Sequence, residues 1–268
     1  MILTRTRAAM AVATLSLVVG GTGVAVGAGD DTGHHGGYDH GGKPNNLPNL
    51  GLVKNDIKAY YGDDGTTDHN ATGDSQYAAD VRRIERKAYT ALPTLIKKAD
   101  AAPVVLVDVD DTTLLTYRYE ATHDFGYDPT VNAAYIHDPG MPQVFGMSDL
   151  LNTASRRHAE VYYLTGRPES QRADTERDLT KAGYPDVDSD HLFMRDKANP
   201  PAYLQSCDKP PSGPYCTTVQ YKSQTREHIE TLNGGQDIVA NFGDQFSDLS
   251  GGFADARYKM PNPMYFLP

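Results

Sequence analysis

The chain has 268 residues, of which 39% are hydrophobic and 22% are charged, so it can bury a core and is not a disordered protein. Its 35 acidic residues outnumber 25 basic ones, which gives a formal charge of −10 at pH 7. Phosphate backbones and anionic lipid repel such a chain, so we expect no nucleic-acid partner and no binding to membrane surfaces.

Residues 1–28 have the pattern of a secretory signal peptide. Met1–Arg7 is short and basic, the stretch up to Val26 is mostly apolar, and small residues precede a cleavage site after Ala28. The alternative is an uncleaved membrane anchor, because the stretch is about long enough to span a bilayer, but its glycines weaken that interpretation. We therefore expect a secreted protein with no membrane attachment after cleavage.

Residues 29–48 form a leader of glycine, histidine and asparagine, which predicts a solvated flexible linker rather than a metal site at its histidines. The segment 49–268 is expected to be one folded domain. Leu50–Tyr61 predicts a short helix, and Ser75 can cap a longer one. Apolar residues at helical spacing support the longer helix: Val81, Ile84, Ala88, Leu92 and Leu95. Pro93 is expected to kink this helix or to end its regular part.

Beyond Ala102, short apolar strands alternate with helical segments. The predicted strands are Val104–Val107, Val161–Leu164, His191–Met194, Ile238–Phe242 and Tyr258–Met260. The predicted helices are Met147–His158, Glu169–Ala182 and Tyr221–Leu232. This alternation predicts an α/β fold with a mainly parallel sheet and helices on both faces. In such sheets, ligands bind at the carboxyl ends of the strands.

Two cysteines, Cys207 and Cys216, bracket a loop rich in proline and glycine. In an oxidising compartment the simplest interpretation is one disulfide that closes this loop. A metal site would need more ligands than this pair offers.

Polar clusters follow three of the predicted strands: Asp108–Thr112, Thr165–Arg167 and Asp244–Asp248. Residues two apart in a strand point to the same side, so we expect Asp108 and Asp110 to converge. Two carboxylates so close need a shared proton or a cation between them. The alternatives are an Asx-rich turn and a calcium loop, and the calcium loop fails because Thr113 and Tyr119 replace its glycine and glutamate.

The other clusters add ligands for a cation and for an anion. Asp244 and Asp248 supply further oxygen ligands, and carboxylates without histidine or thiolate favour Mg²⁺. Thr165 supplies a hydroxyl, and Gly166 would let main-chain amides approach an anion at the start of the following helix. Lys222 is a candidate point charge between phosphate and carboxylates, although most lysines are solvated surface residues.

In this order, the motifs resemble those of the haloacid dehalogenase (HAD) superfamily of phosphotransferases. Asp108–Thr112 matches the first motif, Thr165 the second, Lys222 the third and Asp244–Asp248 the fourth. Within the superfamily the chain is similar, from about Leu50 onward, to secreted class III-B acid phosphatases related to plant vegetative storage proteins. The similar segments are VVLVDVDDTTL (104–114), YLTGRPES (163–170), YKSQTR (221–226), NFGDQFSDLSG (241–251) and KMPNPMYFLP (259–268). The leader and the cysteine loop match nothing in that family.

The resemblance implies a Rossmann-like HAD fold with small insertions rather than a large cap domain. It implies that Asp108 attacks phosphorus and forms an aspartyl-phosphate, while Asp110 acts as general acid and then as general base. Mg²⁺ would be held by Asp108, the Asp110 carbonyl and Asp244, with Asp248 contacting the metal or its water.

The resemblance also implies a substrate, a small soluble phosphomonoester. Thr165, Gly166 and Lys222 would bind its transferring oxygens, and Arg167 is expected to reach it as well. Some plant storage members lack the first aspartate, so the presence of Asp108 favours a working enzyme. A catalytically weak storage or binding protein remains an alternative, and so does a phosphotransferase with alcohol acceptors. The sequence sets no oligomeric state.

Overall fold

A computed structural model describes residues 47–268 of the chain. The predicted signal peptide and nearly all of the predicted leader therefore lie outside the described residues. Residues Pro48–Pro268 form one compact unit. In the part of the chain that is described, no helix is long and apolar enough to cross a membrane.

The described chain contains eight α-helices and five strands. The helices are α1 (Leu50–Tyr61), α2 (Gln76–Lys98), α3 (Tyr117–Thr122), α4 (Pro129–His137), α5 (Met147–Ser155), α6 (Arg172–Lys181), α7 (Thr218–Ile229) and α8 (Phe246–Leu249). The strands are β1 (Ala102–Val107), β2 (Glu160–Pro168), β3 (Leu192–Arg195), β4 (Gln236–Gly243) and β5 (Ala256–Lys259).

The strands form one sheet in the order β3-β2-β1-β4-β5, and every pair of neighbours is parallel. This confirms the predicted parallel α/β sheet. Because β1 lies between β2 and β4, the residues that follow β1 are flanked by those at the ends of β2 and β4. The order of strands thus brings together three polar clusters that are far apart in the sequence.

Alternate residues of β1 face two separate cores, which confirms helices on both faces of the sheet. Val105 and Val107 belong to the larger core, together with residues of α2 and α5. Val104 and Leu106 belong to the smaller core, where Tyr221 of α7 also packs. These strand residues are at most 1% exposed, and burial of each such side chain contributes roughly 1.5–3 kcal/mol.

Helix α2 begins where the sequence predicts, but Pro93 does not end it. The Ser75 side chain accepts a hydrogen bond from the main-chain nitrogen of Ala78, and the helix continues past Pro93 to Lys98. Proline lacks the N–H that a helix interior needs, at a cost of about 3 kcal/mol. The last turn persists because Leu95 and Ile96 pack against the larger core.

The largest difference from the sequence prediction concerns the segment after β2. Strand β2 continues through residues 165–168, because Pro168 still pairs with Arg195 of β3. A 3₁₀ turn follows at Glu169–Gln171, and α6 begins only at Arg172. Gly166 and its neighbours therefore lie in a strand, and the expected helix start is displaced away from them.

The segment between β1 and α5 holds two short helices that the sequence analysis did not predict, α3 and α4. The apolar pattern gave no signal for α3, because its buried residues are two tyrosines, a glutamate and an alanine. It gave none for α4 either, because that helix buries only Ile136. No large cap is inserted at this point, which confirms the prediction of small insertions.

A buried carboxyl group lies between α2 and the start of α5. Glu85 is 5% exposed, and its Oε1 has no hydrogen-bond partner among the described residues. Gly146 makes room for it, since a Cβ at that position would lie 2.4 Å from Oε1. Burial raises the pKa of Glu85 from 4.5 to about 7, although Arg82 opposes the shift and Asp149 adds to it.

This raised pKa makes the stability of the fold depend on pH. Between about 4.5 and 7 the folded chain keeps the Glu85 proton and the unfolded chain has lost it, so stability falls as pH rises through this window. Glutamine cannot ionise, so Glu85→Gln lacks this pH dependence. The free energy of unfolding of the variant minus that of wild type should therefore rise by roughly 2–3 kcal/mol from pH 4.5 to pH 8. Urea unfolding of both proteins at both pH values measures the difference.

The matched control is Glu227→Gln, at an exposed position of α7. This variant should show the same pH dependence as wild type. A difference between Glu85→Gln and wild type that stays constant from pH 4.5 to pH 8 would contradict the assignment.

Candidate active site

The predicted motifs meet at the carboxyl edge of the sheet. Asp108 directly follows β1, Asp244 directly follows β4, and Thr165 lies near the end of β2. Lys222 reaches the same place from α7, on the face of the sheet that carries the smaller core. The structure thus brings together one representative of each of the four motifs.

Lys222 joins the first and fourth motifs. Its Nζ lies 2.5 Å from Asp108 Oδ1 and 2.9 Å from Asp248 Oδ1. It also donates to the carbonyl oxygen of Leu164 at 2.5 Å. The lysine is only 3% exposed; burial opposes its charge, but Asp108 and Asp248 raise its pKa above the ordinary value. It is a buried ammonium ion held by two carboxylates, not a solvated surface residue.

The acidic side of the site carries more charge than Lys222 balances. Oxygens of Asp108, Asp244 and Asp248 lie within 4.8 Å of one another, and all three residues are buried. Burial raises the pKa of Asp108 well above its usual value against the opposing effect of Lys222, and Asp248 and Asp244 raise it further. Burial and Asp248 likewise raise the pKa of Asp244 to about 8.

Such a cluster ionises fully only with additional positive charge. Three carboxylates and no histidine or thiolate form a set of hard oxygen donors, which suits Mg²⁺ better than zinc or copper. The residues present therefore fit the metal ion that the family resemblance implies.

Asp248 is held at its side chain and at its main chain by residues of three elements. Its Oδ2 accepts a hydrogen bond from the Gln245 main-chain nitrogen at 2.9 Å. Its main-chain oxygen accepts from Asn241 Nδ2 at 2.9 Å and from Arg226 Nη1 at 2.5 Å. A Cβ at Gly243 would lie 2.4 Å from the Asp248 Cβ, so the close approach of α8 to β4 requires glycine there.

Arg226 was not predicted from the sequence, although it lies in the segment YKSQTR. It is completely buried and also donates to the carbonyl oxygens of Ser250 and Gly252. Helix α7 therefore holds Asp248 twice, through Lys222 at the carboxylate and through Arg226 at the main chain. The three-to-four-residue spacing of an α-helix could have suggested this pair, since residues 222 and 226 share one face.

The segment after β5 also contributes to the site. Asn262 Nδ2 lies 2.7 Å from Asp244 Oδ2, and Tyr265 donates its hydroxyl to Asp111 Oδ2 at 2.8 Å. Asp111 is completely buried and has a positive φ of 53°. It also accepts hydrogen bonds from the main-chain nitrogen and the hydroxyl of Thr116. The resemblance of segment 259–268 to the family was the signal for this contribution, but no single residue stood out.

A pocket of about 430 Å³ opens beside Asp244, between α8 and the segment after β5. Phe246 and Lys259 lie on its wall. Of the three clustered aspartates, only Asp244 lines this pocket.

The Asp110 carboxylate lies outside the three-carboxylate cluster and is held by Arg167. Arg167 Nη2 donates to Asp110 Oδ1 at 2.6 Å, and Nε donates to Oδ2 at 3.0 Å. The arginine side chain is 3% exposed, whereas that of Asp110 is 27% exposed. Asp110 is therefore oriented from within the protein and keeps one side open to solvent.

The substrate-binding roles of Arg167 and Gly166 stay predictions. Arg167 lies within β2, and its side chain turns inward. Besides Asp110, its guanidinium contacts Thr175 Oγ1 at 3.0 Å and Met141 Sδ at 3.2 Å. Gly166 is exposed in the same strand, and the helix that follows, α6, begins only at Arg172.

Thr165 is 1% exposed, and its Oγ1 accepts a hydrogen bond from the Arg167 main-chain nitrogen at 3.1 Å. Its carbonyl oxygen accepts from the Tyr221 hydroxyl at 2.9 Å. The hydroxyl hydrogen of Thr165 remains able to donate to a ligand at the end of β2.

Cys207 and Cys216 are bonded to one another, with Cα atoms 4.7 Å apart. Both pack against the smaller core, while most of the loop between them is exposed. The bridge directly precedes Thr217, the N-cap of α7.

Comparison with known proteins agrees with this geometry. The family described as HAD superfamily, subfamily IIIB (Acid phosphatase) matches residues 63–268. Vegetative storage protein 1 of Arabidopsis thaliana is 27% identical over 85% of this chain and 77% of its own length. Acid phosphatase 1 of Solanum lycopersicum is 29% identical over 71% of this chain and 69% of its own length.

The fold is similar to that of the class C acid phosphatase from Bacillus anthracis. The two structures superpose with a TM-score of 0.58 and 19% sequence identity, over 80% of this chain and 86% of the other. At this identity the likeness concerns the fold.

The excess of carboxylates predicts how Mg²⁺ affects stability. At a hundredfold excess over its Kd, Mg²⁺ should raise the melting temperature of wild type by about 5–10 °C. Asp244→Asn should lose this shift, and in EDTA it should melt no lower than wild type, because a buried carboxyl with a raised pKa has been removed. Differential scanning fluorimetry with and without Mg²⁺ measures both effects.

Asp138→Asn, at an exposed position after α4, is the control and should keep the full Mg²⁺ shift. An equal Mg²⁺ shift in wild type and Asp244→Asn would show that the ion binds elsewhere.

Proposed function

The chain belongs to subfamily IIIB of the HAD superfamily, the acid phosphatases, and from this premise we propose that it is a secreted, Mg²⁺-dependent phosphatase of small phosphomonoesters. The observation that carries the proposal is the buried Asp108 beside Lys222, at the edge of the sheet where Asp244 and Asp248 also lie. Asp108 is the residue that some storage members of the family lack.

In the proposed mechanism Asp108 acts as the nucleophile. One carboxylate oxygen attacks phosphorus as the ester P–O bond breaks on the opposite side, and an aspartyl-phosphate forms. Lys222 lies within 3 Å of Asp108 and Asp248 and also donates to the Leu164 carbonyl, so it would bind a phosphoryl oxygen by exchanging one of these three partners. The Thr165 hydroxyl is the second donor to that group.

In the proposed mechanism Asp110 transfers protons. Its carboxyl has an open side, while Arg167 fixes its orientation from behind. Asp110 gives a proton to the leaving oxygen, and then takes one from the water that hydrolyses the aspartyl-phosphate.

The carboxylates of Asp108, Asp244 and Asp248, with the Asp110 main-chain carbonyl, would hold Mg²⁺. When bound, the ion supplies the positive charge that offsets repulsion between the acidic cluster and the substrate phosphate. The chain's own contribution is to keep these residues in place before the ion binds. Asp248 is held by Lys222, Gln245 and, at its main-chain oxygen, Arg226. Asp244 is held by Asn262.

The surroundings of the site support small substrates and an exported enzyme. Only the short helices α3 and α4 occupy the segment between β1 and α5, so no large cap encloses the leaving group. The proposed secretion rests on the signal-peptide pattern of residues 1–28 and on the disulfide, which is stable in oxidising compartments.

A catalytically weak storage protein is the second candidate, and the similarity to an Arabidopsis vegetative storage protein favours it. The two candidates share the fold and differ in turnover. A third outcome is transfer of phosphate to an alcohol instead of water, which added glycerol would reveal as glycerol phosphate.

The first test is hydrolysis of p-nitrophenyl phosphate by the purified protein in Mg²⁺. Asp108→Asn should lower kcat by at least about a thousandfold, because it removes the nucleophile. EDTA should abolish activity and added Mg²⁺ should restore it. Asp138→Asn serves as the control and should keep wild-type kcat and KM.

Wild type that turns over no faster than Asp108→Asn would identify the storage candidate. Activity that EDTA leaves unchanged would reject the proposed Mg²⁺ dependence.

The contact between Arg167 and Asp110 gives a second test. Lysine cannot reproduce the two-point contact of a guanidinium, so Arg167→Lys should misplace the general acid. We expect kcat to fall about ten- to a hundredfold for an alkyl phosphate such as β-glycerophosphate, with a small change in KM. The fall should be smaller for p-nitrophenyl phosphate, because its leaving group needs little protonation.

Arg172→Lys is the matched control, since Arg172 pairs with Glu169 and Glu176 at the start of α6. It should leave both substrates unaffected. A loss in Arg167→Lys that is equal for the two leaving groups would reject the role of Arg167 in positioning Asp110.

A further inference from the structure

We infer that the disulfide loop, residues 207–216, belongs to the phosphate-binding part of the site, because it fixes Tyr221 and through it Thr165. The inference rests on the proposed function, in which Thr165 and Lys222 bind the phosphoryl oxygens. It gives a role to a loop that lies outside the four sequence motifs.

The first step is the contact between the bridge and Asp208. Asp208 follows Cys207 in the chain, and its Oδ1 accepts a hydrogen bond from the Cys216 main-chain nitrogen at 2.7 Å. Both ends of the disulfide therefore adjoin the Asp208 carboxylate, whose side chain is fully buried. The bridge keeps these two ends together.

The second step is the buried pair that Asp208 forms with Arg195, the last residue of β3. Arg195 Nη2 lies 2.7 Å from Asp208 Oδ1 and 3.4 Å from the Cys216 carbonyl oxygen. Arg195 Nη1 and Asp208 Oδ2 have no hydrogen-bond partner within residues 47–268. A buried ion pair with unsatisfied atoms contributes little stability of its own, so its geometry depends on the closed loop.

The third step leads from Arg195 to Thr165. The guanidinium carbon lies 4.5 Å from the centre of the Tyr221 ring, which is a cation–π contact. Tyr221 is 3% exposed, and its hydroxyl donates to the Thr165 carbonyl oxygen at 2.9 Å. The ring is thus held on one side by Arg195 and at its tip by the second motif.

The start of α7 adds a parallel connection. Thr217 follows Cys216 and forms a capping box with Gln220, so the helix begins directly at the bridge. The next two residues of the helix contact neighbouring carbonyls of β2, Tyr221 at Thr165 and Lys222 at Leu164. Movement of the loop would therefore displace both phosphate-binding residues together.

These contacts predict a specific kinetic effect of opening the loop. In Cys207→Ser/Cys216→Ser, KM for p-nitrophenyl phosphate and Ki for inorganic phosphate should both rise about five- to tenfold, the equivalent of one hydrogen bond. The Mg²⁺ concentration for half-maximal activation should rise by a smaller factor than Ki, because Asp244 is held by Gln245 and Asn262, which lie outside α7. A loss of global stability alone would not raise Ki selectively in the folded protein.

Tyr221→Phe removes only the hydroxyl that contacts Thr165, and it should raise Ki in the same direction. Combined with the cysteine variant it should add less than the sum of the two effects, since both act along one chain of contacts. Ser189→Ala, at an exposed position before β3, is the control and should keep wild-type Ki. If the cysteine variant does not fold, Asp208→Asn, which keeps the bridge and removes the charge that pairs with Arg195, replaces it and should also raise Ki.

Unchanged phosphate Ki in the folded cysteine variant, or strictly additive effects with Tyr221→Phe, would overturn the inference. Failure of the proposed function is a separate outcome, seen as absence of hydrolysis by wild type. In that case, isothermal titration of inorganic phosphate into wild type and the same variants still decides between a weakened and an unchanged affinity.

Discussion

A single buried ammonium ion between two carboxylates is the interaction on which the site depends. Lys222 neutralises part of the charge that Asp108, Asp244 and Asp248 bring to the edge of the sheet, and the remaining negative charge makes a hard cation the natural complement. Without Lys222, three aspartates this close would repel one another out of place or bind protons. In the proposed function the same lysine also binds substrate oxygens, so one group would serve both the assembly of the site and the binding of phosphate.

Helix α7 transmits this constraint to the rest of the fold. Tyr221 and Lys222 contact β2, Arg226 holds the main chain around α8, and the N-terminus of the helix is tied to the disulfide loop. The helix thereby connects the second, third and fourth motifs, while β1 supplies the first. A site that is spread over so many segments keeps its geometry because one rigid element contacts most of them.

Much of this could be predicted from the sequence. The strands, the parallel sheet and the meeting of the four motifs follow from apolar runs that end in acids, because parallel strands place their ends at one edge. The contact between Arg167 and Asp110 could not be predicted. The Arg167 side chain points inward because β2 extends past residue 167, and this length of β2 is set by the pairing of Pro168 with Arg195 of β3. Arg226 and Asn262 were harder to single out, because the only signal for Arg226 is its helical spacing from Lys222 and the only signal for Asn262 is the family resemblance of its whole segment.

The contact between Tyr265 and Asp111 joins residues that are 154 positions apart. During synthesis the first motif is translated long before Asp244, Asn262 and Tyr265. Until then, Asp111 lacks the Tyr265 hydroxyl that donates to it. The hydrogen bonds around Asp111 and Asp244 are therefore completed late, when the final segment docks. Under the proposed function, a nascent or truncated polypeptide that lacks this segment would contain Asp108 without the partners of Asp111 and Asp244, so translation of the first motif would precede the onset of activity.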